Sequence, residues 1–181
     1  MVAITLPDGS VRRFDSPVTG EALAADIGPG LAKAALAIKV DGELRDLARP
    51  IDKDAKVEIV TGKHKDALEL LRHDCAHVLA EAVQELYPGT QITFGPAIDN
   101  GFYYDFVRNE HFTPDDFAKI EAKMKEIVDR NEPITREVWT RDQAARWFRE
   151  HGEQFKAEWV GEIPDGEEIT IYRQGKWLDM C

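Results

Sequence analysis

Several features that narrow the class of a protein are scarce in this sequence. It has two cysteines, Cys75 and Cys181, which are too few for a disulfide framework, so a reducing compartment is expected. No apolar run is long enough to cross a membrane, and residues 1–6 lack the basic start and apolar core of a secretory signal. The sequence therefore predicts a cytoplasmic protein without a membrane partner.

Positive charge is also in short supply. The net charge is −11, and residues 1–62 hold 8 Lys and Arg against 10 Asp and Glu, whereas residues 63–181 hold 15 against 24. This balance excludes a broad basic footprint for nucleic acid, so any RNA must bind at a local site. The hydrophobic fraction of 43% is sufficient for packed cores in one large domain or two small ones.

Residues 1–62 have the pattern of a small α+β module. Thr19 is placed to cap a short helix over residues 20–27, and this helix separates two predicted β-hairpins. The strands are expected at residues 2–6, 11–14, 37–40, 43–47 and 56–60. Two hairpins, a crossing helix and a closing strand predict a ubiquitin-like fold, and the absence of His and Cys favours a binding or positioning role.

A long amphipathic helix is predicted over residues 68–87. Apolar residues recur at steps of three and four along it, including Leu71, Cys75 and Ala82, and this stripe is expected to anchor the helix. His73 and His77 lie one turn apart on the opposite face, so their side chains are expected to point away from the buried side of the helix. The spacing alone fits a functional pair and two incidental histidines equally well.

The remaining residues predict further α+β structure. The aromatic residues 102–106 are expected to form a strand after a turn at 96–101, and Thr113 begins a helix that extends to residue 131. Lys156 lies between Phe155 and Trp159, where it can act as a base with a lowered pKa or extend its amine to water. Other elements are expected at 134–139 (strand), 141–151 (helix) and 169–180 (hairpin), the last delivering Asp179 and Cys181 to a strand end.

Six short strings occur together in a recognisable order. They are DGS at 8–10, DIGPGLAKA at 26–34, RHDCAH at 72–77, GP at 95–96, IDNGFYYD at 98–105 and DMC at 179–181. Together they resemble the N-terminal part of bacterial threonyl-tRNA synthetases. The resemblance implies a β-grasp (TGS) domain at residues 1–62 and an α+β editing domain with a long His-bearing helix at residues 63–181. It also implies that the editing domain is incomplete at its C-terminal end, and that the class II catalytic core and anticodon-binding domain are absent.

The resemblance also implies an activity and a set of site residues. In that family the editing domain hydrolyses tRNA(Thr) mischarged with serine, whereas the full enzyme attaches threonine to tRNA(Thr). The catalytic residues would be His73, His77 and Lys156, and the substrate-binding residues would be Tyr104, Asp179 and Cys181. No cofactor is expected in this region, since ATP, Mg and Zn belong to the catalytic core, through which the full enzyme is expected to form a homodimer.

Two other classes of function remain open from the residues alone. His73 and His77 have the spacing of zinc ligands on a helix, and Cys181 offers a third ligand, which would make a metal-dependent hydrolase. Asp74, however, stands where the zinc-protease motif has Glu. The other alternative is a non-catalytic RNA-binding module.

Overall fold

The computed structural model describes all 181 residues, which form two compact units, Met1–Leu70 and Leu71–Cys181. Each unit combines helices with short β-sheets, which confirms the predicted α+β class. No helix has the length and apolar character that a membrane span requires.

The first unit is a five-stranded sheet crossed by two helices. Its elements are β1 Val2–Thr5, β2 Val11–Phe14, α1 Gly20–Ile27, α2 Pro29–Ala34, β3 Ala35–Val40, β4 Glu43–Arg45 and β5 Ala55–Thr61. The sheet order is β2-β1-β5-β3-β4; β1 and β5 are parallel and the other neighbours are antiparallel. This is the predicted ubiquitin-like arrangement.

Local chemistry explains the form of this sheet. Thr19 accepts a hydrogen bond from the Ala22 amide at the start of α1, and this satisfies one of the free N–H groups of the first turn. Along β1, Val2 and Ile4 alternate with half-exposed residues and are buried in one core cluster with Leu23 of α1. Period-two burial on the sheet and a capped helix across it therefore fix the fold.

The second unit contains most of a long helix, three further helices and a three-stranded antiparallel sheet. Its elements are α3 Ala67–Leu86, β6 Gln91–Ile92, β7 Ala97–Ile98, β8 Gly101–Phe102, β9 Phe106–Val107, α4 Pro114–Arg130, β10 Ile134–Trp139, α5 Arg141–Glu150, α6 Gln154–Glu162, β11 Ile169–Gln174 and β12 Trp177–Met180. The sheet has the order β10-β11-β12, and two small ladders, β6 with β9 and β7 with β8, complete the unit. Phe148 and Val160, from α5 and α6, are buried with Ile171 of the sheet in one core cluster.

The predicted orientation of α3 is wrong in the first part of the helix, although Ala82 of the predicted stripe is buried. The helix also buries Ala76, Ala80 and Val83 almost completely, whereas Leu71 is 43% exposed and Cys75 is exposed. His73 and His77 are half-buried beside the small alanines, on the side that packs against the rest of the unit. The prediction failed because alanine contributes little to a hydrophobic pattern, although its small side chain allows neighbouring elements to approach closely.

The predicted aromatic strand over residues 102–106 is also wrong. The chain forms two separate strands there, β8 and β9, and residues 103–105 lie between them. The preceding segment 96–101, predicted as a turn, contains β7, which pairs with β8 as a hairpin. This break in the ladder frees Tyr104 from strand pairing, so that its side chain reaches the residues described next.

Candidate active site

The carboxylate of Asp179, on β12, is the centre of a buried polar cluster. Its side chain is 1% exposed. Oδ1 forms an ion pair with Lys156 Nζ and accepts a hydrogen bond of 2.7 Å from the Met180 amide. Oδ2 accepts a hydrogen bond of 2.5 Å from the Tyr104 hydroxyl and lies 3.1 Å from His77 Nδ1. Burial of the charge is thus balanced by partners on both oxygens.

Lys156 does not extend to water, which was one of the two predicted alternatives. Its side chain is 3% exposed on the inner face of α6, and Nζ donates a hydrogen bond of 3.1 Å to the Tyr104 hydroxyl. Burial lowers the pKa of Lys156 to about 7, although the negative charges of Glu153 and Cys181 oppose this shift. Neutral and charged amine forms are therefore both accessible near neutral pH.

Tyr104 joins the lysine and the aspartate through its hydroxyl. Its ring lies over Gly95, where an added Cβ would come within 2.1 Å of Tyr104 Cδ2, so this position requires glycine. The ring also stacks on Phe106, with centroids 5.4 Å apart. Burial, assisted by the negative charges of Glu153 and Cys181, raises the pKa of Tyr104, which keeps its hydroxyl a proton donor.

The two histidines and Cys181 form the second half of the cluster. His73 Nε2 lies 2.9 Å from Cys181 Sγ and 3.1 Å from His77 Nε2. Two ring nitrogens that face each other at this distance share one proton, because two N–H groups would repel and two lone pairs would leave the contact unmade. His77 Nδ1 is buried beside the Asp179 carboxylate without an aligned hydrogen bond.

Cys181 has the character of a reactive thiol. Cys181 is exposed as a residue, but its thiol is partly buried, which raises its pKa. Hydrogen bonds and charge from His73 and His77 lower the pKa by more than burial raises it, so that the resulting pKa is about 6. Burial and the charge of Asp74 instead raise the pKa of Cys75 above its ordinary value. Only Cys181 is therefore held largely as a thiolate at neutral pH.

The same three residues fit the donor set of a zinc ion. The ligand atoms of His73, His77 and Cys181 all lie within 4.8 Å of one another. Two imidazoles and a thiolate are ligands that zinc prefers, and three protein ligands leave a fourth position open, as in catalytic zinc sites. The residues present are thus chemically compatible with zinc.

The structure brings together all six residues predicted from the sequence: His73, His77, Tyr104, Lys156, Asp179 and Cys181. No pattern in the sequence predicted a role for Arg72, which lies beside His73 on α3. Arg72 donates to the carbonyls of Ile98 and Asp99 at 3.1 and 2.6 Å, which holds the β7–β8 hairpin against α3. Its position beside His73 was the only signal available.

These features define a class of protein: an N-terminal β-grasp domain followed by an α+β unit with a buried Lys–Asp pair beside a His–His–Cys cluster. The family model described as "TGS domain" matches residues 2–61. Over all 181 residues the chain is 65% identical to threonine–tRNA ligase of Granulibacter bethesdensis and 64% identical to that of Acidiphilium cryptum. It is also 60% identical to the enzyme of Thiobacillus denitrificans over 182 aligned positions.

Over its whole length the chain is homologous to the N-terminal region of threonine–tRNA ligases, which contains the TGS domain and the domain that follows it. It spans 28% of the length of the Granulibacter and Acidiphilium relatives.

Proposed function

We propose that residues 63–181 act as an editing hydrolase that removes serine from mischarged seryl-tRNA(Thr). One observation supports this proposal most directly. Asp179 contacts both the buried amine of Lys156, whose pKa is lowered, and the imidazole of His77, which lies beside His73 and the Cys181 thiolate. General acids and bases with pKa values near neutral pH are the groups that ester hydrolysis requires. Residues 1–62 would act as the TGS module that helps to position the tRNA.

Hydrolysis needs a water that attacks the ester carbonyl and a proton for the departing ribose oxygen. In this proposal neutral Lys156 or His73 removes a proton from the water as it attacks, and the ester C–O bond breaks as the ribose oxygen is protonated. The group that accepted the water proton, Lys156 as its ammonium or His73 as its imidazolium, then gives that proton to the ribose oxygen, so the base returns to its neutral form. Charged donors near the ester carbonyl would stabilise the negative oxygen of the tetrahedral intermediate, which forms when water attacks and disappears when the C–O bond breaks.

Selection between serine and threonine depends on one methyl group. Tyr104, Asp179 and Cys181 would line the serine side chain, and a close fit would reject the larger threonine, as in a second sieve. Asp179 would orient the amino or hydroxyl group of serine, while the Tyr104 ring, fixed over Gly95, would form a rigid wall.

The reaction, cofactors and dimer proposed for the full enzyme are those expected of a threonine–tRNA ligase. We propose that the enzyme containing this region attaches threonine to tRNA(Thr) in the cytoplasm, using ATP, Mg and Zn in a catalytic core beyond these residues. Dimer formation would also involve that core. tRNA(Thr) would be the macromolecular partner of both the ligase and the hydrolase.

The test is deacylation of seryl-tRNA(Thr), with threonyl-tRNA(Thr) as the control substrate, by the enzyme and by Lys156→Ala and His73→Ala variants. Each variant should lose at least about 100-fold in kcat while threonine attachment remains unchanged. Normal seryl-tRNA(Thr) clearance by the Lys156→Ala enzyme would refute the proposal. Measurable tRNA binding without hydrolysis by the unmodified enzyme would instead favour the RNA-binding alternative.

A second candidate is a zinc-dependent hydrolase at the same position. It is favoured by the convergence of His73, His77 and Cys181 within 4.8 Å. A bound zinc would supply a Lewis acid and lower the pKa of a bound water. Metal analysis of the 181-residue chain, purified without chelators, decides between the metal-free and the zinc-dependent hydrolase. Stoichiometric zinc that is lost in a Cys181→Ala variant would support the zinc-dependent hydrolase, and the absence of zinc from the unmodified chain would exclude it.

A further inference from the structure

Gln84 on α3 has a side-chain amide whose hydrogen bonds reach three other segments of the second unit. Nε2 donates to the Glu153 carboxylate and, at 3.1 Å, to the Thr90 carbonyl. Oε1 accepts a hydrogen bond of 2.8 Å from the indole Nε1 of Trp177. The amide thus uses both of its N–H groups and its carbonyl.

The first partner, Glu153, lies at the start of the helix that carries Lys156. Its second carboxylate oxygen accepts a hydrogen bond of 3.2 Å from the Ile92 amide, so the side chain is held from two sides. Its backbone carbonyl accepts the Ala157 amide of α6 at 3.0 Å. A shift of Glu153 would therefore move the first turn of α6, and Lys156 with it.

The second partner, Trp177, begins the strand that carries Asp179. Its ring meets His77 edge to face, with centroids 5.9 Å apart. His77 lies two helical turns before Gln84 on α3, so both residues occupy the same face of that helix. A single amide therefore links the elements that hold Lys156, Asp179 and His77.

The partners also fix which way the amide points. An indole nitrogen only donates and an ionised carboxylate only accepts, so Gln84 must turn its oxygen to Trp177 and its nitrogen to Glu153. A side chain with the wrong donor pattern would leave these half-buried groups without partners.

We propose that Gln84 is the positioning residue of this site, because its amide sets the spacing of α3, α6 and β12 and hence brings the Lys156 amine to Asp179. The inference rests on the proposed function for its catalytic consequence, but its structural part is measurable without any substrate. Gln84 does not touch the reacting groups; it acts through Glu153 and Trp177.

The substrate-free test uses NMR spectroscopy of the 181-residue chain. In Gln84→Leu, the Trp177 indole N–H should lose its protection from hydrogen exchange. The pH midpoint of the Lys156 ¹³Cε signal should rise by about one unit as water reaches the amine. Gln154→Leu is the matched control, because the Gln154 side chain donates only to Glu158 on its own helix. Unchanged signals in Gln84→Leu would overturn the proposal.

Exchanging the two side chains, by Gln84→Glu and Glu153→Gln, separates the effect of their hydrogen bond from the effect of the Glu153 charge. Gln84→Glu sets two carboxylates against each other, and Glu153→Gln sets two NH₂ groups against each other, so each single change should reduce the hydrogen-exchange protection of the Trp177 indole N–H. The double variant restores a donor facing an acceptor and keeps the Trp177 and Ile92 contacts, although it loses the donor to the Thr90 carbonyl, so it should recover most of that protection. A double variant no better than the two singles would overturn the proposal.

The catalytic consequence is measured separately in the full-length enzyme. Gln84→Leu should lower kcat for seryl-tRNA(Thr) deacylation by about tenfold with KM changed less than about twofold, since the reacting groups are misplaced while the binding surface remains. If Lys156→Ala has no effect on deacylation, the proposed function fails, whereas the NMR results still decide the positioning role.

Discussion

Lys156 Nζ and Asp179 Oδ1 form an ion pair in which the two side chains are 3% and 1% exposed. Removing two charges from water costs several kcal/mol for each ion, and such a pair survives only where further hydrogen bonds complete it. Tyr104, on the segment between β8 and β9, supplies one of them to the carboxylate and receives one from the amine. Buried ion pairs are in general weak evidence for added stability, so this pair is consistent with the chemical role proposed above.

Removal of one member of this pair should be more damaging to the fold than removal of both. Lys156→Met leaves the Asp179 carboxylate buried without its counter-charge, which should lower the free energy of unfolding by about 3–5 kcal/mol. Adding Asp179→Asn removes that charge and keeps an oxygen for Tyr104, so the double variant should regain most of the loss. Urea denaturation gives the stabilities, and equal losses in the single and double variants would contradict this account.

The contact between Gly95 and Tyr104 gives a second prediction. In Gly95→Ala the new methyl group would meet the ring at 2.1 Å, so the ring must leave its position. The variant should lose about 1–3 kcal/mol of stability and most of its deacylation activity. Gly101→Ala is the control, because nothing lies within 4 Å of its added Cβ. Similar behaviour of the two variants, measured by thermal unfolding, would show that the ring is not fixed by this contact.

The outlines of the fold could be predicted from the sequence because local signals are strong where they occur. Thr19 and Thr113 mark helix starts, and both predicted helices begin within a residue of these caps. The strand at Ile134–Trp139 was predicted with its observed ends, since four of its six residues are β-branched or aromatic. Local chemistry of this kind requires no knowledge of distant contacts.

The errors have a different physical origin. The buried face of α3 is set by which elements must approach it closely, and this favours Ala76 and Ala80 over the larger Leu71. The break in the predicted strand at Tyr104 goes with a hydrogen bond from its hydroxyl to Asp179, 75 positions further along the chain, which no local pattern reveals. Gln84 gave no signal at all, since its three partners are distant in sequence or belong to the backbone.

The two cysteines should differ in their reaction with iodoacetamide. The thiolate is the reactive form, so the alkylation rate of Cys181 should rise with pH to half its maximum near pH 6, whereas Cys75 should need pH above 9. His73→Ala removes a hydrogen bond that favours the thiolate and should move the Cys181 midpoint upward. Mass spectrometry of the labelled peptides measures both rates, and a Cys181 midpoint near that of Cys75 would disprove the His–Cys contact.

Glu81, one turn after His77 on α3, is a buried acid with incomplete pairing. Its side chain is 2% exposed; Oε1 lies 3.4 Å from Arg130, and Oε2 has no hydrogen-bond partner. Arg130 is mainly engaged by Glu85, with two contacts of 2.7 Å, and by Glu126. Burial raises the pKa of Glu81 to about 7, helped by the charges of Glu85 and Glu132 and opposed by Arg130.

The stability of the fold should therefore fall as Glu81 ionises. Below its unfolded pKa of 4.5 the carboxyl is protonated in both states, and between that value and about 7 the folded state binds more protons than the unfolded state. The free energy of unfolding of the unmodified chain should accordingly drop by about 2–3 kcal/mol between pH 5 and 8 relative to Glu81→Gln, which carries no charge there. Glu85→Gln is the comparison variant, because hydrogen bonds from Arg130, partly opposed by burial, lower the pKa of Glu85, so this carboxyl is ionised in both states above pH 5 and its own titration adds no slope there. Its removal should change the drop only through Glu81, making it smaller, because the Glu85 charge helps to raise the pKa of Glu81. Guanidinium unfolding across this range measures all three proteins, and a parallel pH dependence for the unmodified chain and Glu81→Gln would mean that Glu81 is already ionised at pH 5 in the folded state.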